Sequence, residues 1–172
     1  FHSVLKEEEG TRAAQERVSV ETPAVVLGMG PTALALVRAL GRKGVPVGGV
    51  GLSKYELSLF SRYCAPIGSA DPIHDRQKML DILLGFAREH PYKDRPVLYP
   101  TGDECVAFIG ENAAVLAEHY RFARLNLEIV MQFLDKKRFY EACLLYGLPA
   151  PRTYSLESTR DLHAVSKQTA YP

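Results

Sequence analysis

The chain has 172 residues, enough for one domain with an extension or for two small ones, and its 47% hydrophobic and 24% charged residues are ordinary for a globular protein that buries a core. A formal net charge of +1, with no dense Lys/Arg run, excludes a general polyanion binder, so nucleic acid is not an expected partner. The long uncharged run from Pro23 to Val37 is too short and too interrupted by glycine to span a membrane, and it begins too far in for a signal peptide.

Residues 1–22 read as a polar arm, with Glu7, Glu8 and Glu9 in a row and weak apolar periodicity; a fluctuating or docked helix is expected there. From Pro23 to residue 122 strands alternate with helices. Ala24 to Leu27 is a short apolar run closed by glycine, so a buried strand. Pro31 suits the first position of a helix whose apolar face is Ala33, Leu36, Val37 and Leu40, ended by Gly41 and Gly44. A second strand runs from Val45 to Val50, a short helix from Tyr55 to Tyr63, and a third strand from Cys64 to Ile67. Met79, Ile82, Leu83 and Phe86 predict an amphipathic helix over 74–90. Val97 to Tyr99 is the fourth strand, and Val106, Ile109, Ala113 and Leu116 mark a helix over 103–118.

This alternation implies an α/β fold: an open parallel Rossmann-like sheet with helices on both faces. Ligands of such sheets bind at the carboxyl ends of the strands, near the switch point, and the turns at 28–31 and 100–104 are expected there. Beyond residue 122 strands become sparse. Helices are expected over Leu127 to Phe133, Asp135 to Tyr146 and Ser158 to Ser166, with a strand candidate at Arg152 to Ser155. This tail, residues 123–172, has no complete core of its own. Phe1 in place of Met and the Tyr171-Pro172 end suggest a piece of a longer protein.

Three motifs carry chemistry. Gly28-x-Gly30-x-x-Ala33 follows a strand and opens a helix, so its glycines let backbone approach a ligand and its N–H groups favour an anion. A dinucleotide site also wants a carboxylate after the second strand, and Gly49 to Ser53 offers none; a tight turn packed on the sheet explains the motif equally well. Thr101-Gly102-Asp103-Glu104 fits a capping box with dipole-complementing acids, or carboxylates that hold a cationic amine; the cap is the stronger reading from the residues alone. Asp135 suits an N-cap, but Lys136, Lys137 and Arg138 then put three cations in a first turn, where the helix dipole disfavours them by about 0.3–1 kcal/mol each. They form either a solvated basic turn or a site awaiting a polyanion. Cys64, Cys105 and Cys143 lie far apart with no metal-ligand spacing, which fits buried reduced thiols of a cytoplasmic protein. The five histidines show no catalytic spacing.

Taken in order, Gly28-Met-Gly30, Ser61-Arg62-Tyr63, Pro100 to Glu104, Asp135-Lys136 and Gly147 to Tyr154 resemble the N-terminal portion of ATP-grasp ligases. The likeness is to predicted ATP-dependent carboligases similar to D-aspartate ligase and the carbamoyl phosphate synthase large subunit, over residues 23–172. The resemblance implies a pre-ATP-grasp domain followed by the start of an ATP-grasp domain. It implies a carboxylate activated with ATP and Mg²⁺ and then attacked by an amine. Lys136 matches the lysine that contacts the ATP phosphates. Gly28, Gly30, Thr101, Gly102, Asp103 and Glu104 match loops facing the substrate cleft. The second ATP-binding lysine and the metal-binding carboxylates would follow Pro172, so no catalytic residue, metal ligand or tightly bound cofactor is expected in this chain, and it is expected to be inactive alone. The expected partners are small carboxylate and amine substrates and the rest of the ATP-grasp domain, with a homodimer left open and no membrane. An NAD(P)-binding module of an oxidoreductase and a non-catalytic regulatory domain are the alternatives.

Overall fold

The computed structural model describes residues 22–90, 93–123, 126–154 and 156–167. The polar arm expected over 1–22 therefore lies, but for Thr22, outside the described residues, as does the Tyr171-Pro172 end. The chain divides into two compact units, one up to residue 124 and one from 125.

The first unit is built on a four-stranded parallel sheet of order β3-β2-β1-β4. Its strands are β1 (Ala24–Leu27), β2 (Val47–Gly51), β3 (Ala65–Ser69) and β4 (Val97–Pro100). Helix α1 (Pro31–Arg42) links β1 to β2, and α2 (Arg76–Glu89) links β3 back across to β4. Parallel strands alternate their side chains between faces. Ala24 and Val26 pack with Ala33 and Val37 of α1, whereas Val25 and Leu27 pack with Met79 and Leu83 of α2. The two helices thus lie on opposite faces, as crossovers of one hand moving in opposite directions require. Two further helices, α3 (Asp103–Glu111) and α4 (Ala113–His119), add Cys105, Phe108, Ile109 and Leu116 to the second face. The expected doubly wound α/β fold is the one observed.

Both sheet edges are short. β3 is the more exposed, and Pro66 within it carries no N–H. Beside β4, Arg121 makes a single parallel bridge with Val97, and its carbonyl accepts from the Leu98 N–H at 2.7 Å.

Several expected elements are redrawn. Tyr55 to Tyr63 is not a helix: only a 3-10 turn forms, at Leu57–Phe60, because Ser58 is drawn off to bond the β1 loop. The helix over 103–118 is two, broken at Asn112, whose side-chain amide donates back to the Phe108 carbonyl at 2.8 Å. Helix α1 runs through Gly41 and stops at Arg42, with Gly44 at φ 79 just past the end.

The second unit contains α5 (Leu127–Leu134), α6 (Lys136–Leu145) and α7 (Thr159–Ser166). Each has a side-chain N-cap: Asn126, Asp135 and Ser158, the last in a reciprocal capping box with Asp161. Gly147, at φ 64, follows α6. Residues 152–154 pair with no strand, and Ser155 is outside the described residues. Among the described residues of this unit, Cys143 is the one that is buried. No described helix is long and apolar enough to cross a membrane.

Candidate functional site

The strand order reverses between β1 and β4, so their carboxyl ends flank the switch point. The two predicted turns meet there. Gly28 adopts φ 77, a left-handed conformation open to glycine, and a Cβ at this position would lie 3.0 Å from Thr101 Oγ1. Thr101 closes the pair: its backbone N–H donates to the Leu27 carbonyl at 3.0 Å. Its hydroxyl proton is shared between the Leu27 and Gly28 carbonyls. This corrects the expected capping box. The cap of α3 is Gly102 and no side chain bonds it, because the Thr101 hydroxyl is spent across the switch point. Gly28 is buried, Gly30, Thr101, Gly102 and Glu104 are half-buried, and Asp103 is exposed.

A residue not foreseen from the sequence organises this end of the sheet. Glu56 Oε2 accepts from the Met29 N–H at 2.8 Å and from the Leu52 N–H at 2.7 Å. One carboxylate thereby ties the loop after β1 to the loop after β2. Ser58 adds a second tie, its hydroxyl donating to the Gly30 carbonyl at 2.7 Å and its N–H to the Met29 carbonyl at 2.9 Å. The sequence signal was a carboxylate a few residues past the second strand, beyond the Gly49 to Ser53 window that a dinucleotide site would use.

The Met29 N–H is one of the donors that would meet a pyrophosphate in a dinucleotide fold. Here it is already taken by a carboxylate of the same chain. The surrounding charge is also negative. Burial pushes the Cys105 thiol up to about 12, with Glu104, Glu56 and Asp71 adding to the rise. Of these acids, Asp71 is satisfied locally by the N–H groups of Ile73 and His74, and these bonds hold its carboxyl below the usual range. Asp103 and Glu104 have no ion-pair partner among the described residues. Carboxylates gathered near these loops favour a cation over an anion.

The second unit carries opposite charge. Asp135 caps α6 by accepting from the Lys137 and Arg138 N–H groups at 2.9 and 3.3 Å. Of the three cations in that first turn, Lys137 pairs with Glu157 at 2.6 Å, which holds its ammonium pKa above the ordinary value, and Arg138 lies 3.6 Å from Asp135. Lys136 has no ion-pair partner among the described residues. It lines a cavity of about 520 Å³ with Lys137, Tyr140, Glu141, Arg152 and Tyr154, to which Leu144 and Leu148 also contribute. The Tyr154 hydroxyl oxygen is buried without a hydrogen-bond partner. Among the described residues no group of three or more His, Cys, Asp or Glu side chains is placed to hold a metal ion.

The fold and these sites define an open parallel α/β domain, with carboxylates on the loops at its switch point, followed by a helical unit with a cavity lined by three cations and one carboxylate. By sequence, no protein family and no curated protein matches the chain. Among solved structures, the chain is similar to an L-amino acid ligase from Bacillus licheniformis, with a TM-score of 0.61 and 14% identity. The match covers 88% of this chain and 36% of the ligase chain, so the two share a fold over about a third of that protein.

Proposed function

We propose that the chain is part of an ATP-dependent carboxylate–amine ligase, to which it contributes an amine-binding crevice and a first contact to the ATP phosphates. The observation that carries this reading is the segregation of charge between two sites: Asp103 and Glu104 at the switch point and Lys136 in a cavity of about 520 Å³, each without an ion-pair partner among the described residues. The fold shared with an L-amino acid ligase supports it.

The residues of the cavity fit a nucleotide polyphosphate. Lys136 and Arg152 bring positive charge with no ion-pair partner among the described residues, and the volume falls within the roughly 300–1,000 Å³ usual for small-molecule sites. ATP would supply the phosphoryl group that activates the substrate carboxylate. Lys136 would offset charge on the phosphate oxygens as that group departs. Asp103 and Glu104 would hold the amine substrate as its ammonium, and one of these carboxylates would take its proton so that the free amine, oriented there, attacks the acyl phosphate and releases phosphate. Glu56 would keep the crevice in shape without touching substrate.

The test is a titration of the protein and of Lys136→Ala with ATP, followed by NMR because weak binding is expected of this chain. The half-saturation concentration should rise about tenfold in the variant, the loss of one charge-assisted contact. Unchanged affinity would remove Lys136 from the site. A parallel fluorescence titration with NADH and NADPH should show no binding; saturation at low micromolar concentration would instead favour the dinucleotide-binding alternative.

A further inference from the structure

The cavity at the start of α6 has a second wall that the reading of Lys136 does not use. The chain leaves α6 after Gly147 without forming a helix or strand, and Leu148 and residues 150–154 form this wall, with Pro149 and Pro151 limiting the backbone. Arg152 stands on this wall. Its guanidinium lies 5.1 Å from the centroid of the Tyr154 ring. Neither Arg152 nor Lys136 meets a carboxylate among the described residues. The cavity lining thus holds three cations, Lys136, Lys137 and Arg152, against one carboxylate, Glu141, and Lys137 is already paired with Glu157.

Two observations mark this as more than a solvated basic surface. The Arg152 guanidinium lies over the Tyr154 ring, a cation–π contact that favours this placement of its donors before any ligand arrives. The Tyr154 hydroxyl is buried without a hydrogen-bond partner among the described residues, an unsatisfied polar atom in a residue that lines this cavity.

We propose that Arg152 is a second anion-binding residue of this cavity, held in place by the Tyr154 ring, and that it acts with Lys136 on a polyphosphate ligand. The proposal rests on the reading of Lys136 as a phosphate contact. A planar, bidentate donor recognises adjacent phosphate oxygens, whereas the lysine acts as a point charge. Tyr154 is a positioning residue in this arrangement.

The experiment is an NMR titration of the isotope-labelled chain with sodium tripolyphosphate and, separately, with ATP, at constant ionic strength. The variants are Arg152→Ala, Arg152→Lys, Lys136→Ala, Tyr154→Ala and Arg160→Ala. Arg160 lies on α7 outside the cavity lining and reports non-specific attraction. Half-saturation should rise about tenfold in Arg152→Ala, as for loss of one charge-assisted contact. Arg152→Lys, which keeps charge but not the stacked fork, should recover only part of it. Tyr154→Ala should weaken binding without removing any charge.

Full affinity in Arg152→Ala, with loss in Lys136→Ala, overturns the proposal and leaves the Lys136 reading standing. Loss in Arg152→Ala with none in Lys136→Ala overturns the Lys136 reading and, with it, the proposal that the two residues act together. Equal weakening by Arg160→Ala reduces both to diffuse charge and overturns the proposal, and so does a wild-type cavity whose resonances do not shift. Saturation by tripolyphosphate as well as by ATP locates recognition in the phosphates; response to ATP alone overturns the polyphosphate assignment.

Discussion

Glu56→Ala tests how the carboxyl end of the sheet is held. The substitution removes the acceptor of two backbone donors, the N–H groups of Met29 and Leu52, at 2.8 and 2.7 Å. Met29 is fully buried, so its N–H cannot turn to bulk water. Hydrogen bonds to a charged group contribute about 1.5–3 kcal/mol each, and a half-buried acceptor argues for the low end, so the pair is worth about 3 kcal/mol. In a unit of this size each kcal/mol moves the midpoint by about 4–8 °C, so the first thermal transition should fall by about 15 °C. Glu56→Gln keeps an acceptor oxygen and loses the charge, and should lose about half as much, given the roughly twofold advantage of charge-assisted bonds. Circular dichroism melts of the three proteins decide the matter. A Glu56→Ala midpoint within about 2 °C of wild type would refute the bridge, since that shift is well under 1 kcal/mol. Equal losses in Glu56→Ala and Glu56→Gln would refute the part assigned to charge.

Two further outcomes follow from the same region. With its thiol pushed up to about 12, Cys105 should resist iodoacetamide at pH 8 in the native state and react on addition of denaturant, which mass spectrometry of the peptides can read. Because the folded value lies above the ordinary 9.0, the protonated thiol's contribution to stability is fully present below that value and is lost as pH rises toward about 12; Cys105→Ala should flatten the fall in melting temperature across this window. Gly28→Ala must place a Cβ at φ 77 and 3.0 Å from Thr101 Oγ1, so it should cost at least about 1–2 kcal/mol by urea denaturation, and an unchanged midpoint would count against the close approach of the two loops.

Much of the fold was legible because it depends on local pattern. Ala24 to Leu27 is apolar at every position, as a strand covered on both faces must be, and Met79, Ile82, Leu83 and Phe86 fall at helical spacing. The misreadings arose where a distant partner overrode the local preference. Thr101 has the residue type and spacing of a cap, yet its hydroxyl bonds carbonyls more than 70 positions earlier in the chain. The segment around Ser58 is diverted from helix by the β1 loop, 28 positions away. Glu56 escaped notice for the same reason: nothing near it in sequence shows that its oxygen will meet the Met29 N–H. In the second unit Asp135 and Lys136 could be singled out, because a cap and a dipole conflict are local facts. Arg152 could not, because its relation to Lys136 exists only once the chain has turned back after Gly147.

The two borders of the sheet bear on how copies of this chain can meet. Pro66 brings no donor to β3, and the Leu98 N–H of β4 is already occupied by Arg121. Neither margin therefore offers an uninterrupted ladder for a strand from a neighbour. Self-association by extension of the described sheet is disfavoured at both of these edges.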